Sequence, residues 1–372
     1  MPSRSPAPAA AGRRRARQRE PRRERTRSRG DCKLRATVLP RPPQLPGLAW
    51  AAALGLGCHF ATPWLQQTID GWSLGGVSLA ILLGFLIGQF VTPSATTRPG
   101  LKYAEKTVLA LAIGLLGARL DGGALAELGW PTALLLVAMM AATLFLGVFI
   151  ARLCGLGPGL GWTLGVGTAV CGSSAIAAAA PFVDAEEEEV ALSVGVVNLL
   201  GTVGIFVLPA LVFALQAPAD DAIVLTGGSL HAVGHVVAAG YTVSEEVGVG
   251  ATAVKMGRIA LLIPIVLFLA LRQSRRRGIQ DTAAPRGLHK LLPGYLLGFL
   301  VLAAARTAGF LPDAVAAVLG DLAKIALTIA MAGIGLQLQL RVLLRQGPRA
   351  LLAGVLVWAG QIGFLLLGLR LL

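Results

Sequence analysis

Charged residues are scarce in this sequence. Only 14% of its 372 residues are Asp, Glu, Lys or Arg, whereas 55% are hydrophobic, and a soluble domain carries about a quarter charged residues. Most of the chain must therefore avoid water. Apolar runs of about 20 residues, long enough to cross a bilayer, recur from Leu48 to Leu372. The composition excludes an ordinary soluble enzyme and predicts an all-α, polytopic protein of the lipid bilayer.

Motifs of familiar enzymes and ATP-driven pumps are also missing. The sequence contains no Gly-x-x-x-x-Gly-Lys phosphate loop, no catalytic-triad spacing and no metalloprotease helix. Its four cysteines, Cys32, Cys58, Cys154 and Cys171, show neither metal-ligand spacing nor an evident disulfide pairing. We therefore expect no enzymatic activity, no metal and no cofactor, apart from a coupling H⁺ or Na⁺.

The net charge of +14 is concentrated near the N-terminus, where residues 1–47 hold 14 Lys or Arg and three acids. Arg-rich arms are typical of nucleic-acid binding, but the content of Pro, Ala and Ser favours a disordered cytoplasmic tail. An over-extended gene start is a third interpretation. We expect residues 1–45 to form the tail, residues 46–372 to form the transmembrane domain, and no nucleic acid to bind.

Eleven segments are expected to cross the membrane. They are 48–66, 74–91, 107–120, 130–151, 162–183, 190–215, 223–241, 247–271, 291–309, 322–340 and 350–371. With the N-terminus in the cytoplasm, the Arg-rich and Lys-rich loops 272–290 and 341–349 also face the cytoplasm, in agreement with the positive-inside rule. Asp184 and Glu186–Glu189 then lie outside, and Asp220 and Asp221 lie inside as an exception.

Two internal similarities are visible. Lys106–Val137 aligns without gaps on Lys324–Val355, with nine of 32 positions identical. The copies begin at the third and tenth segments, so they run in opposite directions, and inverted repeats are typical of secondary transporters. A weaker similarity between Cys171–Phe213 and Thr226–Phe268 suggests two related helix pairs.

Two polar, glycine-containing stretches lie where a spanning helix should be apolar. They contain the candidate ligands Cys171, Gly172, Ser173 and Ser174 in one stretch, and Gly227, Gly228, Ser229 and His231 in the other. Glycine weakens a helix, and hydroxyl groups re-bond freed backbone groups, so both stretches predict helices broken at mid-membrane. A half-helix beginning near Ser173 would direct free N–H groups at an anion. Close helix packing through small residues is the alternative.

Lys255 and Arg258 lie three residues apart in the eighth segment and share one helix face. Charges at membrane depth usually face a cavity or a partner, so this pair predicts an anion site. Snorkelling, or pairing with Glu245 or Glu246, is the alternative.

Three further polar residues have open interpretations. His231 and His235 also share a face, where they would relay protons, bind an anion or a metal, or bond to backbone carbonyls. Their segment lacks a third metal ligand, so no metal site is predicted. Asn198 is either a ligand contact or a contact between helices.

Four motifs resemble, in order, those of the sulfate-exporter family of bacterial inner-membrane proteins. Residues 170–178 are similar to its Ile-Cys-Gly-Ala-Ser-Ala-Ile-Ala-Ala motif, and residues 229–240 to its Ser-Ile-His-Glu-Val-Ala-Gln-Val-Val-Ala-Ala-Gly motif. Residues 255–258 match its Lys-x-x-Arg motif, and residues 330–336 its Ala-Met-x-x-x-Gly-Leu motif. The sequence departs at Ala232, where the family tends to have Glu, and at His235, where it tends to have Gln.

The resemblance implies a multi-pass inner-membrane protein with an inverted-repeat fold, similar to the bile-acid sodium symporter and arsenite exporter superfamily. It implies export of a small anion, such as a sulfate-like oxyanion or a sulfonate. We expect Lys255 and Arg258 to neutralise the anion and His231 to carry a coupling proton. A non-transporting sensor or assembly protein with this fold is the alternative, and both a monomer and a homodimer fit the sequence.

Overall fold

The structure, a computed structural model, describes residues 40–68, 75–120, 129–277, 293–338 and 347–372. Most of the expected basic tail, residues 1–39, lies outside these ranges. The regular structure within them is helical throughout. Six helices in this part of the chain are long and apolar enough to span a bilayer, and four shorter apolar helices accompany them. The prediction of an all-α, polytopic membrane protein is confirmed.

Every described helix except Arg98–Tyr103 overlaps one of the eleven predicted segments. The helices are α1 Leu45–Thr68, α2 Gly76–Phe90, α3 Arg98–Tyr103, α4 Leu109–Leu116, α5 Gly129–Leu153, α6 Pro158–Ala169, α7 Ser173–Ala179, α8 Glu187–Leu215, α9 Ala219–Ser229, α10 Val233–Val243, α11 Glu245–Ala260, α12 Leu262–Arg277, α13 Gly294–Thr307, α14 Asp313–Gln337 and α15 Pro348–Leu371. A π-helical turn, Ala104–Val108, joins α3 to α4. The helix also breaks between α11 and α12, because Pro264 has no N–H to donate to the carbonyl of Ala260.

The fifth predicted segment forms a hairpin, residues 158–182, which we call the first hairpin. Its arms α6 and α7 are joined by the first turn, Val170–Gly172, where Gly172 has φ of 75°. Ala185, beyond the second arm, packs against Gly159 at the start of the first arm. The twelve residues of α6 rise only about 18 Å, at about 1.5 Å per residue, whereas the hydrocarbon core is about 30 Å thick. The segment therefore enters the bundle and returns.

The seventh predicted segment forms the second hairpin, residues 219–243. Its arms α9 and α10 are joined by the second turn, Leu230–Ala232. Ile223 of α9 packs against Gly250, and Gly240 of α10 packs against Gly248. The start of α9 and the end of α10 thus lie beside the same turns of α11. Because the 29-residue α8 spans the bundle between the two hairpins, the second hairpin enters from the opposite end.

This path corrects two predicted loop positions. We call the end of the bundle that carries Arg272 and Arg276, beside the mouth of the first hairpin, the arginine-rich end. Glu186–Glu189 lie at this end rather than across the membrane from it. Asp220 and Asp221 follow α8 to the opposite end, so the exception to the positive-inside rule disappears. A hydropathy pattern cannot separate a crossing from a hairpin of equal length, which is why the prediction was wrong here.

A hairpin followed by a spanning helix occurs twice, in residues 158–215 and inverted in residues 219–277. These two units contain the weaker internal similarity. The sequence alignment pairs Gly172 with Gly227, whereas in the structure the first turn corresponds to the second turn, Leu230–Ala232. The Lys106 and Lys324 copies are also antiparallel, because Arg119 after α4 bonds to Asp321 near the start of α14 at 3.0 Å. The predicted inverted repeats and mid-membrane breaks are confirmed.

Buried side chains form two main clusters. One is built mainly by α5 to α9 with α15, and the other mainly by α1, α2, α4, α10, α13 and α14. Helix α11 contributes Val247, Ala251 and Val254 to the first cluster, and Ala253, Met256 and Ile259 to the second. This helix also carries Lys255 and Arg258, so both cations lie where the two clusters meet.

Candidate functional site

The two hairpin turns converge on Lys255 and Arg258. Both side chains are buried, with 0% and 1% of their surface exposed. Their bonding partners are backbone carbonyls at the ends of the first arms, α6 and α9. The last carbonyls of a helix have no partner within it, and they carry the negative end of its dipole. The two cations therefore cap both broken helices in the interior of the protein.

Arg258 uses its whole guanidinium group in this role. Its Nε donates to the carbonyl oxygen of Ala169 at 3.1 Å, and one terminal nitrogen donates to Gly227 at 2.8 Å and Leu230 at 3.0 Å. The other terminal nitrogen donates to the backbone carbonyl oxygens of Thr168 and Ala169, both at 2.8 Å. A guanidinium has five N–H donors, and all five are engaged. This differs from the expected anion-contacting arginine.

Lys255 is engaged less completely. Its Nζ donates to the carbonyl oxygen of Val170 at 2.5 Å and to that of Leu230 at 2.6 Å. An ammonium group has three donors, so one N–H has no partner among the described residues. The two cations therefore differ in their bonding, although the same role was predicted for both.

The charges at the turns do not balance. Two cations meet two helix C-terminal ends, which together carry roughly one negative charge at about half a charge each. Within the described ranges, no Asp or Glu bonds to either side chain. The turns therefore retain a surplus of about one positive charge, which an anion would neutralise.

Three of the expected site residues border the first turn on its accessible side. Ser173 and Ser174 begin α7, and the side chain of Ser174 is exposed, as is that of Asn198 on α8. Val197, the neighbour of Asn198, packs against Gly172. Cys171 is half-buried beside them. Polar side chains within a membrane bundle usually face its interior or a water-filled cavity.

The residues expected to line the site at 227–229 face protein instead. The carbonyl oxygens of Gly227 and Gly228 accept hydrogen bonds from Arg258 and Gln361. The hydroxyl of Ser229 donates to the carbonyl oxygen of Leu225 at 2.6 Å. This stretch supports the second turn from inside and does not form an open lining, because its polar groups satisfy the break in the helix.

His231 is fully buried, and its ring lies 5.9 Å from the ring centre of Trp358. Neither ring nitrogen has a hydrogen-bond partner in the described part of the chain, so the alternative in which His231 bonds to a backbone carbonyl is not observed. His235 accepts from the backbone N–H of Ala232 at 3.4 Å. No group of three metal-ligating side chains occurs among the residues that the structure describes.

Sequence reasoning missed two residues of α15 that hold the turns. Gln361 donates to the carbonyl oxygens of Thr168 at 3.3 Å and Gly228 at 3.2 Å, which links both hairpins. The Nε1 of Trp358 donates to the carbonyl oxygen of Ser229 at 3.2 Å. A lone glutamine in an apolar span is the signal that would have found the first of them.

Comparison with known proteins identifies relatives along most of the chain. Residues 50–354 match the model of a family described as conserved hypothetical protein 698. The membrane protein TauZ of Paracoccus denitrificans, from the group named UPF0324, is 34% identical over 309 residues, which cover 82% of this chain and 89% of the relative.

Two further UPF0324 membrane proteins show the same extent of similarity. RA0957 of Rhizobium meliloti is 30% identical over 343 residues, covering 89% of this chain and 95% of its own length. OB3406 of Oceanobacillus iheyensis is 32% identical over 311 residues, covering 83% of this chain and 89% of its own length. No solved structure matches the chain.

Proposed function

The chain belongs to the conserved hypothetical protein 698 family of membrane proteins, and from this premise we propose that it is a secondary transporter of a small anion. One observation carries the proposal. Two hairpins from opposite ends of the bundle meet at buried cations that no carboxylate among the described residues neutralises. Broken helices around a midplane site are the arrangement that many secondary transporters use.

In this proposal the anion binds beside the first turn. The remaining N–H of Lys255 contacts it directly, while Arg258 keeps both helix ends in place. The first N–H groups of α7 lack acceptors within the helix, and they lie beside the hydroxyls of Ser173 and Ser174. A tetrahedral oxyanion or a sulfonate presents several acceptor oxygens to such donors.

Access would alternate by movement of the two buried clusters relative to each other. Glu245 pairs with both Arg119 and Lys324 and so connects α11 to the α4 and α14 regions at the end opposite the arginine-rich end. We propose that this network closes that end, and that the site opens towards the arginine-rich end beside Asn198 and Ser174.

The direction and the substrate class follow from charge and resemblance. The arginine-rich end faces the cytoplasm by the positive-inside rule, which also places the N-terminus there. The similarity to the sulfate-exporter motifs favours export of a sulfate-like oxyanion or a sulfonate. His231 is the candidate carrier of a coupling proton, because it is buried beside the second turn without a fixed partner; Na⁺ coupling is the alternative.

Flux of labelled sulfate, with sulfite and an alkyl sulfonate as competitors, tests the proposal in proteoliposomes. Lys255→Met removes the free donor and should lower flux at least about tenfold, since a hydrogen bond to a charged group contributes about 1.5–3 kcal/mol. Lys102→Met, at an exposed lysine of α3, is the matched control and should transport normally. Wild-type flux in Lys255→Met would contradict the proposal.

A sensor or assembly protein with this fold would behave differently. It would bind an anion, seen as a shift in thermal unfolding, without moving it across the bilayer. Ligand-induced stabilisation without flux of any of the three anions would favour that alternative.

A further inference from the structure

A polar cavity of about 330 Å³ opens at the arginine-rich end, beside the mouth of the first hairpin. Its lining combines the aromatic Trp162 with the cations Arg272 and Arg276 and the carboxylates Asp184, Glu186 and Glu189. The cavity is separate from the hairpin turns and takes no part in the proposed transport site.

The arginines of this cavity are open to a ligand. The guanidinium carbon of Arg272 lies 4.3 Å from the ring centre of Trp162, which fixes its position. None of the ion pairs among the described residues includes Arg272 or Arg276. A guanidinium binds phosphate through two parallel N–H donors, and these two side chains lie one turn apart on α12.

The carboxylates are held in the opposite wall by other contacts. Glu189 accepts from the backbone N–H of Leu160 at 3.1 Å and from that of Glu186 at 3.0 Å. Asp184 accepts from Gln273 at 2.9 Å. The cavity therefore presents both signs of charge side by side. A ligand that carries a phosphate and an ammonium group matches this pattern better than a purely anionic ligand does.

A separate apolar groove of about 350 Å³ begins at Phe268, one helical turn from Arg272 along α12. It runs between α5 and α12 and is lined by Val137, Met140, Ala141, Leu144, Phe145, Leu261, Pro264, Ile265 and Phe268. The ring of Phe145, in the lining of the groove, lies between the two spaces, with its centre 6.0 Å from that of Trp162 and 6.3 Å from that of Phe268. From Phe268 to Leu261 the groove is about 10 Å deep, at about 1.5 Å per residue.

We propose that the cavity and the groove together bind one phospholipid with an ethanolamine headgroup. The phosphate lies between Arg272 and Arg276, the ammonium group faces the carboxylates, and one acyl chain occupies the groove. Any apolar groove in a membrane protein contacts lipid, but a basic pocket at its head makes the contact specific. Because Glu189 also caps α6, the bound lipid stabilises the mouth of the first hairpin.

Native mass spectrometry of the delipidated full-length protein tests this proposal. Phosphatidylethanolamine and phosphatidylglycerol with identical acyl chains are offered at equal concentration. The protein should retain one molecule of phosphatidylethanolamine. Its retention should exceed that of phosphatidylglycerol at least about threefold, because the carboxylates repel an anionic headgroup. Equal or greater retention of phosphatidylglycerol overturns the headgroup assignment.

Variants of the cavity separate this site from ordinary lipid contact. Arg272→Ala with Arg276→Ala should lower phosphatidylethanolamine occupancy at least about tenfold, since both charge-assisted donors are lost. Arg275→Ala, an exposed neighbour outside the lining, is the control. If the double variant does not purify folded, the single variant Arg276→Ala replaces it and should lower phosphatidylethanolamine occupancy about threefold. Unchanged occupancy in the purified variant overturns the proposal.

A variant of the groove distinguishes a lipid from a free phosphate compound. Ala141→Trp fills the groove and should lower lipid occupancy, while soluble phosphoethanolamine binds as weakly as it does to the wild type. Ala138→Trp, at an exposed alanine outside the lining, should bind lipid normally. Phosphoethanolamine that binds as tightly as the lipid, or a lipid occupancy unaffected by Ala141→Trp, rules out the groove as part of the site.

Discussion

At the residue scale, Lys255 and Arg258 show how a membrane protein keeps charge in its interior. Each cation is buried, yet each faces carbonyl oxygens that a break in a helix has left without partners. A break without the cations would leave acceptors unsatisfied in hydrocarbon, and the cations without the break would be unpaired charges. Each feature therefore requires the other.

The two cations should differ in their contribution to stability. Arg258→Met leaves the carbonyl oxygens of Ala169 and Gly227 without a partner and should lower the free energy of unfolding by roughly 3–5 kcal/mol. Lys255→Met leaves only that of Val170 and should cost about 1–3 kcal/mol. Denaturant unfolding in detergent measures both. A larger loss for Lys255→Met than for Arg258→Met would contradict the assignment of Arg258 as the main cap.

The backbone conformation of Gly172 at the first turn can be tested by substitution. Its φ of 75° and ψ of −134° lie in a region that side chains avoid, so Gly172→Ala should lower stability by about 1–3 kcal/mol. An added Cβ would meet only ordinary contacts there, so conformational strain is the cause. Gly363→Ala, within α15 and with open space around it, is the control and should be neutral or stabilising by up to about 1 kcal/mol.

At the scale of elements, the two hairpins decide how the chain passes through the membrane. Each is as long and as apolar as one crossing, which is why the sequence predicted two crossings there. Gly159 contacts Ala185 across the first hairpin, and both Ile223 and Gly240 of the second hairpin contact the same part of α11, at Gly250 and Gly248. These contacts show that each segment returns. The sequence did predict the breaks themselves, because glycines and hydroxyls interrupt both segments.

Cysteine labelling from either side of the membrane tests this path. In a background without reactive native cysteines, Glu187→Cys and Arg275→Cys should react with an impermeant reagent from the same side. Asp220→Cys should react only from the other side, because α8 separates it from Glu187. All three positions are exposed. Labelling of Arg275→Cys from the side of Asp220→Cys would mean that the second hairpin crosses the membrane.

At the scale of the whole molecule, an ion-pair network joins the α4 and α14 regions to α11. Glu245 is its centre, with Arg119 and Lys324 as partners, and Arg119 also bonds to Asp321. Beneath it lies a cavity of about 330 Å³ whose lining includes Tyr241 and Lys324. If transport requires the end opposite the arginine-rich end to open, this network must break during the cycle.

Removing the charge of Glu245 should therefore shift the protein towards an open state. Partly exposed ion pairs contribute about 0.5–1 kcal/mol each, so Glu245→Gln should raise the labelling rate of Tyr241→Cys several-fold. Glu246→Gln is the matched control, since no ion pair among the described residues includes Glu246. An unchanged labelling rate in Glu245→Gln would show that the network does not gate access.

The sequence by itself determined the membrane environment, the helical class, the positions of the breaks and the inverted relation of the repeats. Hydrophobic length, glycine content and internal similarity are local properties, and each can be read from adjacent residues. The tertiary structure decided that two segments return instead of crossing. It also decided that the donors of Arg258 are all engaged, while one N–H of Lys255 has no partner in the described part of the chain. It also brought Trp358 and Gln361 to the turns. These outcomes depend on which carbonyls meet which donors, and residues as distant as Thr168 and Gln361 acquire that relation only when the helices pack.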